Sequence, residues 1–182
     1  VSPRLPVLRT ARLRLLRPMP EDLAGLVALH GDPETNRHNP DGPLSPERCE
    51  QWLAAWSADW ERDGFGYFCV VADEAPEEIL GVAGLKVSTV ALAGAPAFPV
   101  LNLYYRFRPS VWGRGLAVEA TGAALDQVRP LRADLPVCAV IRAGNLPSRR
   151  LAARLGLHET GEVDTAGRHV HLLGPAGSRL RE

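Results

Sequence analysis

The 182-residue sequence predicts a single α+β (mixed α/β) domain: a mixed, mostly antiparallel sheet with helices on both faces. Three observations carry that expectation. Runs of alternating apolar and polar residues recur along the chain, as half-buried strands require. Short turn-like links join several of these runs, which makes the strands antiparallel neighbours. One stretch then reads strand, glycine turn, helix, strand, the order of a right-handed crossover between parallel strands.

Taken in order, Arg12-Leu13-Arg14-Leu15 alternates, and the first strand is expected over about Thr10 to Arg17. "RPMPEDLAGLVALH" places Leu23, Leu26, Val27 and His30 at helical spacing behind an acidic first turn, Glu21 and Asp22. "HGDPETNRHNPDGPLSPE" is a long polar loop, a length more often functional than idle. Ser45-Pro46 reads as an N-cap followed by proline at the first helical position. Trp52, Leu53, Trp56 and Trp60 then share one helix face, a pattern that reads as core. Phe65, Tyr67, Cys69 and Val71 alternate, "ADEAPEE" turns, and "ILGVAGLKV" returns. "STVALAGAPAFP" is a small-residue loop or the tip of a longer hairpin, and Leu101 to Phe107 forms the next strand. A helix over about Leu116 to Val128, the strand "PVCAVIR", and a shorter helix in "GNLPSRRLAARLG" follow, with Gly156 as its stop. The end, "HETGEVDTAGRHVHLLG", is two strands around a glycine turn. With no repeat and no linker, residues 1–182 are expected to form one domain with its core over about 8–173.

Composition narrows the function. Lys+Arg and Asp+Glu both number 21, so no basic excess points to nucleic acid or an anionic membrane. No apolar run approaches spanning length, and "VSPRLPVLRTARLRLL" has no apolar leader core. Cys49, Cys69 and Cys138 are odd in number and far apart, which argues against disulfides or a zinc site and fits a cytoplasmic protein. His169 and His171 share a strand face without a third ligand, so no metal is expected.

The chemistry gathers at "RPSVWGRGLAVEATGAAL". A turn leading straight from a strand into a helix presents unpaired backbone N–H groups and the positive end of the helix dipole, a setting for phosphate. Gly113, Gly115 and small Ala117 would leave the main chain open to a ligand, with Arg114 as charge at the rim. The same glycines could serve only to reverse the chain. Neither the Walker pattern nor G-x-G-x-x-G is present.

Strand, "R-P-S-V-W-G-R-G-L-A-V-E-A", helix resembles the acetyl-CoA-binding segment of the GCN5-related N-acetyltransferase (GNAT) family. Its form is similar to the RimJ/RimL-like branch, which contains the ribosomal-protein N-terminal acetyltransferases. "LRTARLRLLRPMPEDL", "DGFGYFCVV…EILGVAGL" and "GNLPSRRLAARLGLHETGEV" resemble three further segments in the right order, so the likeness spans Leu8 to Leu173. It implies a GNAT sheet in which the Leu101–Phe107 and Val137–Ile141 strands run parallel and splay apart. The pantetheine arm of acetyl-CoA then lies along the first strand, near Tyr105 and Phe107, and the pyrophosphate meets the N–H groups of Arg114, Gly115, Leu116, Ala117 and Val118, with Trp112 and Gly113 also in the cofactor-binding segment. Trp112 stands where Gln or Arg is commoner, so that side chain cannot be a phosphate ligand. Asn145 and Ser148 match the branch's N-x-x-S pattern, which implies contact with the cofactor. For Ser148 it also implies a hydrogen bond to the departing thiolate, while Ala152 takes the place of the family's usual Tyr acid. Read as residues alone, Asn145 is a turn residue and Ser148 a first-turn cap.

The resemblance implies acetyl transfer to a primary amine, on a protein N-terminus or a small molecule, by direct attack. It implies no nucleic-acid or membrane partner and admits a homodimer. No carboxylate stands on Leu101–Phe107, and Glu162 and Asp164 are the remaining base candidates, equally readable as solvated turn residues. Glu119 reads as a structural charge near the helix start. His30 and His38 flank the loop that would line an acceptor pocket. The rivals are a non-catalytic acyl-CoA-binding module and a nucleotide-phosphate binder using the glycine turn alone.

Overall fold

A computed structural model describes residues 5–92 and 96–173. The expected order is present. β1 (Leu8–Arg9) and β2 (Leu13–Leu16) lead to α1 (Leu23–His30) and α2 (Pro46–Asp63). β3 (Tyr67–Ala72), β4 (Ile79–Val90) and β5 (Phe98–Phe107) follow as a meander. α3 (Leu116–Val128), β6 (Val137–Ile141), α4 (Leu146–Arg154), β7 (His158–Val163) and β8 (His169–Leu173) complete the fold. These strands form one eight-stranded sheet in the order β1-β2-β3-β4-β5-β6-β8-β7, with β5–β6 as its parallel pair.

Two boundaries differ from expectation. The first strand is shorter than Thr10–Arg17, because the chain reverses at Thr10–Arg12 to pair Leu8–Arg9 back onto Arg14–Leu15. The "STVALAGAPAFP" stretch is the tip of a long hairpin, since β4 and β5 stay in register out to Val90 and Phe98. Its residues 93–95 lie outside the described residues, as do 1–4 and 174–182 of the expected single domain.

The sheet has a core on each face. On one face Leu13, Leu15, Phe68, Val70, Leu85, Leu101 and Leu103 pack with Leu116, Leu125 and Val128 of α3. Ala120 and Ala124 of α3, both fully buried, allow that helix to approach closely. On the other face Leu16, Tyr67, Cys69, Val71 and Val82 meet α1 and α2. α2 begins as read: Ser45 accepts a hydrogen bond from the Arg48 N–H at 3.3 Å, and Gly64 (φ 74°) ends the helix. Its tryptophans are core. Trp56 and Trp60 are buried, each such side chain contributing about 2–3 kcal/mol, and the Trp60 indole donates to the Tyr67 carbonyl at 2.9 Å. No helix among the described residues is long and apolar enough to cross a membrane.

Gly84 fixes the geometry of this second face. In register it stands between Tyr67 on β3 and Tyr104 on β5. With no side chain between them, the two tyrosine rings meet at 5.3 Å between centroids. A Cβ at residue 84 would lie 2.6 Å from the Gly66 carbonyl oxygen and 2.8 Å from the Tyr67 Cα, at a φ of 154°. Gly84→Ala is therefore expected to destabilise the fold by about 2–4 kcal/mol, through overpacking and backbone strain together. Urea unfolding checks this; a loss under about 0.5 kcal/mol would mean the strands yield easily there.

Candidate active site

The site begins where two parallel strands separate. β5 and β6 share register only at Leu101–Val137 and Asn102–Cys138. Beyond that point β6 continues to pair with β8 out to Ile141, while β5 stays paired with β4 out to Phe107. Each strand is thus held from its far side, and the facing edge of Leu103–Phe107 has no strand beside it. The gap opens into a cleft of about 1010 Å3 that reaches from the glycine turn to α4 and to the polar loop after α1.

At one end of the cleft, Pro109–Val111 forms a single 3-10 turn, and Gly113 and Gly115 adopt left-handed conformations (φ 75° and 77°) before α3 starts. No side chain caps α3. The first N–H groups of that helix are therefore left for a ligand or water. A Cβ at Gly113 would meet nothing within 4 Å, so the glycine is there for its left-handed backbone conformation and not for want of space. Gly113, Gly115, Leu116, Ala117 and Val118 line the cleft, as does Trp112, whose indole donates to the Phe107 carbonyl at 2.8 Å. Arg114 is not among the lining residues.

The turn is clamped from outside by a residue that motif reading passed over. Arg12 donates to the Arg114 carbonyl at 3.0 Å and pairs with Glu119 at 2.5 Å. Glu119 also accepts from Thr10 Oγ1 at 2.6 Å and from the Arg12 N–H at 3.1 Å. Burial opposes its ionisation, and these bonds from Thr10 and Arg12 outweigh burial, holding its carboxyl below the usual range. Glu119 thus has the structural part expected of it.

At the other end, Asn145 caps α4 by accepting from the Ser148 N–H at 3.2 Å. The Ser148 carbonyl accepts from Tyr105 Oη at 2.8 Å, tying β5 to α4 across the gap. The capping role belongs to Asn145, and the Ser148 hydroxyl has no hydrogen-bond partner among the described residues. Ala152 is buried, so no acid side chain enters from the next turn.

Tyr104 and Arg106 lie on the opposite face of β5 from Tyr105 and Phe107, and all four line the cleft. Arg106 bonds Asn36 Oδ1, and Asn36 in turn donates to the His30 and Asp32 carbonyls at 2.7 and 2.8 Å. That brings Thr35, Arg37, His38 and Asn39 into the cleft wall, where the sequence placed an acceptor loop. Asp164 also lines the cleft but is engaged. Burial raises its pKa, and bonds from the Arg168 side chain and from the N–H groups of Arg168 and Ala166 overcome that and lower it. Glu162 is exposed and lies outside the lining. His169 contacts Glu159 at 2.6 Å, away from the cleft, and no cluster of three metal-ligating side chains occurs among the described residues.

His30 is buried rather than loop-facing, and its hydrogen bonds define its tautomer. Nδ1 lies 3.0 Å from the Leu26 carbonyl, which can only accept, so Nδ1 carries the proton. Nε2 is then bare and accepts from Tyr104 Oη at 3.2 Å. The Tyr104 hydroxyl proton is committed to His30, which leaves its oxygen as an acceptor, engaged in part by the Arg106 side chain. Burial, with Arg106 adding to it, lowers the His30 pKa from 6.5 to about 4 against the opposing bond to Leu26. Below pH 6.5 the unfolded chain takes a proton here that the folded chain refuses until pH falls to about 4. Stability from this site is therefore whole above pH 6.5 and is lost on acidification toward pH 4, by about 3 kcal/mol. Urea unfolding at stepped pH should show this slope in the wild type and a flatter one in His30→Gln; parallel slopes would contradict it.

Comparison with known proteins matches this architecture. Residues 12–158 match the family model for the acetyltransferase (GNAT) domain. The chain is 29% identical over 151 residues to the uncharacterized protein YkkB of Bacillus subtilis (strain 168), covering 82% of this chain and 83% of that one. A solved structure from Bordetella pertussis that carries a GnaT-family acetyltransferase name is 26% identical, with a TM-score of 0.73 over 91% of this chain and 96% of its own. The fold is shared with RimL, a ribosomal L7/L12 alpha-N-protein acetyltransferase, at 16% identity and a TM-score of 0.66, covering 91% of each chain. With a family model spanning most of its length and its parted parallel strands opening beside a glycine turn, the chain belongs to the GNAT acetyltransferase family.

Proposed function

We propose that the protein transfers an acetyl group from acetyl-CoA to a primary amine, on a protein N-terminus or a small molecule, by direct attack. The observation that carries this reading is the single cleft at the parted strands. It joins an uncapped helix start at one end to a polar face bearing Tyr104 at the other. The residues fit the cofactor: the Leu103–Phe107 edge can take an extended arm by main-chain hydrogen bonds. The N–H groups from Arg114 to Val118 suit a pyrophosphate. Bound there, acetyl-CoA supplies an acetyl group activated as a thioester.

The chain's own groups divide the remaining work. Tyr104, its proton held by His30, accepts an N–H from the amine and orients it. Asn145 and Tyr105 hold Ser148 in place, and its unengaged hydroxyl donates to the departing thiolate. No cysteine is suited to carry the acetyl group. Cys49, Cys69 and Cys138 are buried, and burial pushes the Cys138 thiol up to about 12. With Asp164 committed to Arg168 and no carboxylate on β5, turnover rises with pH toward the acceptor's own pKa or that of a carboxylate acting through water, for which Glu34 and Asp41 line the cleft. Ala152 in place of an acid side chain favours one second reading, an acyl-CoA-binding module without catalysis.

Calorimetry with acetyl-CoA and CoA tests the first step. Gly115→Val, forced into a left-handed conformation with a branched side chain, should abolish binding in a variant that remains folded. Unchanged affinity would sink the cradle. A panel of N-terminal peptides and small amines then tests transfer; binding without any turnover would favour the silent module. For an amine that is acetylated, Ser148→Ala should lower kcat by about 10- to 1,000-fold. CoA affinity and thermal stability should stay near those of the parent. A full kcat in that variant would remove Ser148 from the chemistry.

A further inference from the structure

We infer that Arg37, delivered from the α1–α2 loop on the indole of Trp112, is the cation that completes the pyrophosphate end of the cleft; this rests on the acetyl-CoA reading above. The argument begins with charge. Two phosphates bring two negative charges to the glycine turn; Arg142, Arg150 and Arg154 line the cleft from the β6–α4 side, and the cations held at the turn itself are spent or turned elsewhere. Arg12 is neutralised by Glu119 at 2.5 Å, and Arg114 does not line the cleft. Farther along, Arg106 is bound to Asn36 and Arg168 is paired with Asp164 at 2.6 Å.

Arg37 is placed differently. Its guanidinium carbon lies 4.6 Å from the centroid of the Trp112 ring, directly beside Gly113. Trp112 is itself fixed by its bond to the Phe107 carbonyl. Among the described residues only Glu34, at 3.9 Å, offers Arg37 a carboxylate, and about half of the Arg37 side chain remains exposed. Its other hydrogen bond, from Nε to His38, leaves the guanidinium NH2 groups without a carboxylate within hydrogen-bond range. The backbone that carries it is held by the preceding residue, Asn36, which is 2% exposed and bonded to His30, Asp32 and Arg106. A stacked guanidinium with free N–H donors, on an anchored loop, is a preorganised fork for phosphate oxygens. The Trp112 indole N–H is spent on the Phe107 carbonyl, and its ring holds the group that meets the phosphate instead.

The test uses calorimetry with CoA, 3′-dephospho-CoA and pantetheine as probes, on the wild type, Arg37→Ala, Trp112→Ala and the double variant. Arg37→Ala should weaken CoA and 3′-dephospho-CoA by the same factor, about tenfold, the scale of one charge-assisted contact near the surface. Pantetheine should be unaffected. The salt dependence of CoA affinity should flatten in Arg37→Ala, a readout that a purely structural clasp would not move. Trp112→Ala should cost a similar factor, and the double variant no more than either single one, because both remove the same contact. Both side chains are exposed enough that thermal unfolding should hardly shift. A loss confined to CoA would assign the guanidinium to the 3′-phosphate and overturn the inference. An equal loss for pantetheine, or no loss for any probe, would reduce the stack to a loop clasp. A wild type that binds CoA poorly or not at all overturns the acetyl-CoA reading itself, an outcome distinct from a failing variant.

Discussion

The structure depends on β5 and β6 ceasing to pair after Asn102. Two parallel strands that could go on exchanging hydrogen bonds do not, because each is committed on its other side, β5 to β4 and β6 to β8. The backbone groups of Leu103–Phe107 that face the gap would cost about 1–3 kcal/mol each if buried without partners. They stay viable because the gap is a cleft open to water. Opening that edge places Tyr105 against α4 on one side and Tyr104 against α1 on the other, one residue apart on a strand. An acyl donor and an amine approaching from opposite faces would meet there.

What holds Tyr104 in place lies well behind the cleft. Gly84 lets its ring reach Tyr67, and His30 takes its hydroxyl proton. His30 in turn is enclosed by Trp52 and Trp56 of α2, with ring centroids 5.5 and 5.9 Å away. The tryptophan stripe read from sequence as core is therefore core with a consequence. By excluding water from His30 it keeps the imidazole neutral, and the neutral ring can accept the Tyr104 hydroxyl proton. A polar site is positioned here by apolar burial.

Much of this was legible in the sequence, and the limit has a physical basis. Local signals carried far: Ser45-Pro46 starts α2, the glycine turn starts α3 at Leu116, and alternation located β3 and β5. Asn145, Ser148, Tyr105, Phe107 and the segment from Trp112 to Val118 were all named in advance, and except for Arg114 they line one cleft. What stayed hidden acts across long sequence separations. Arg12 clamps a turn 102 residues away, and Asn36 meets Arg106 across 70. No spacing rule connects such pairs. His30 was read from its place in the chain as flanking a polar loop, whereas α1 turns it inward, and only its two bonded nitrogens show what it does. Asn36 gave one local signal, since an Asn inside a Gly/Pro-rich loop is a residue type that bonds nearby backbone, as its bonds to the His30 and Asp32 carbonyls do here.

That pair also explains why the loop can serve both ends of the cleft. Asn36 is drawn to β5 by Arg106, so the loop's position is set by the strand that carries Tyr104. Arg37, one residue on, reaches the indole of Trp112, which is set by the Phe107 carbonyl on the same strand. Both contacts are therefore referred to β5, within a few residues of each other. Side chains held to one rigid element keep their spacing better than side chains that depend on a loop's own stiffness. The long polar loop has bonds of its own, Asp32 accepting from the Glu34 and Thr35 N–H groups and Asn39 donating to the Gly42 carbonyl, and the strand beneath it fixes where that ordered loop sits.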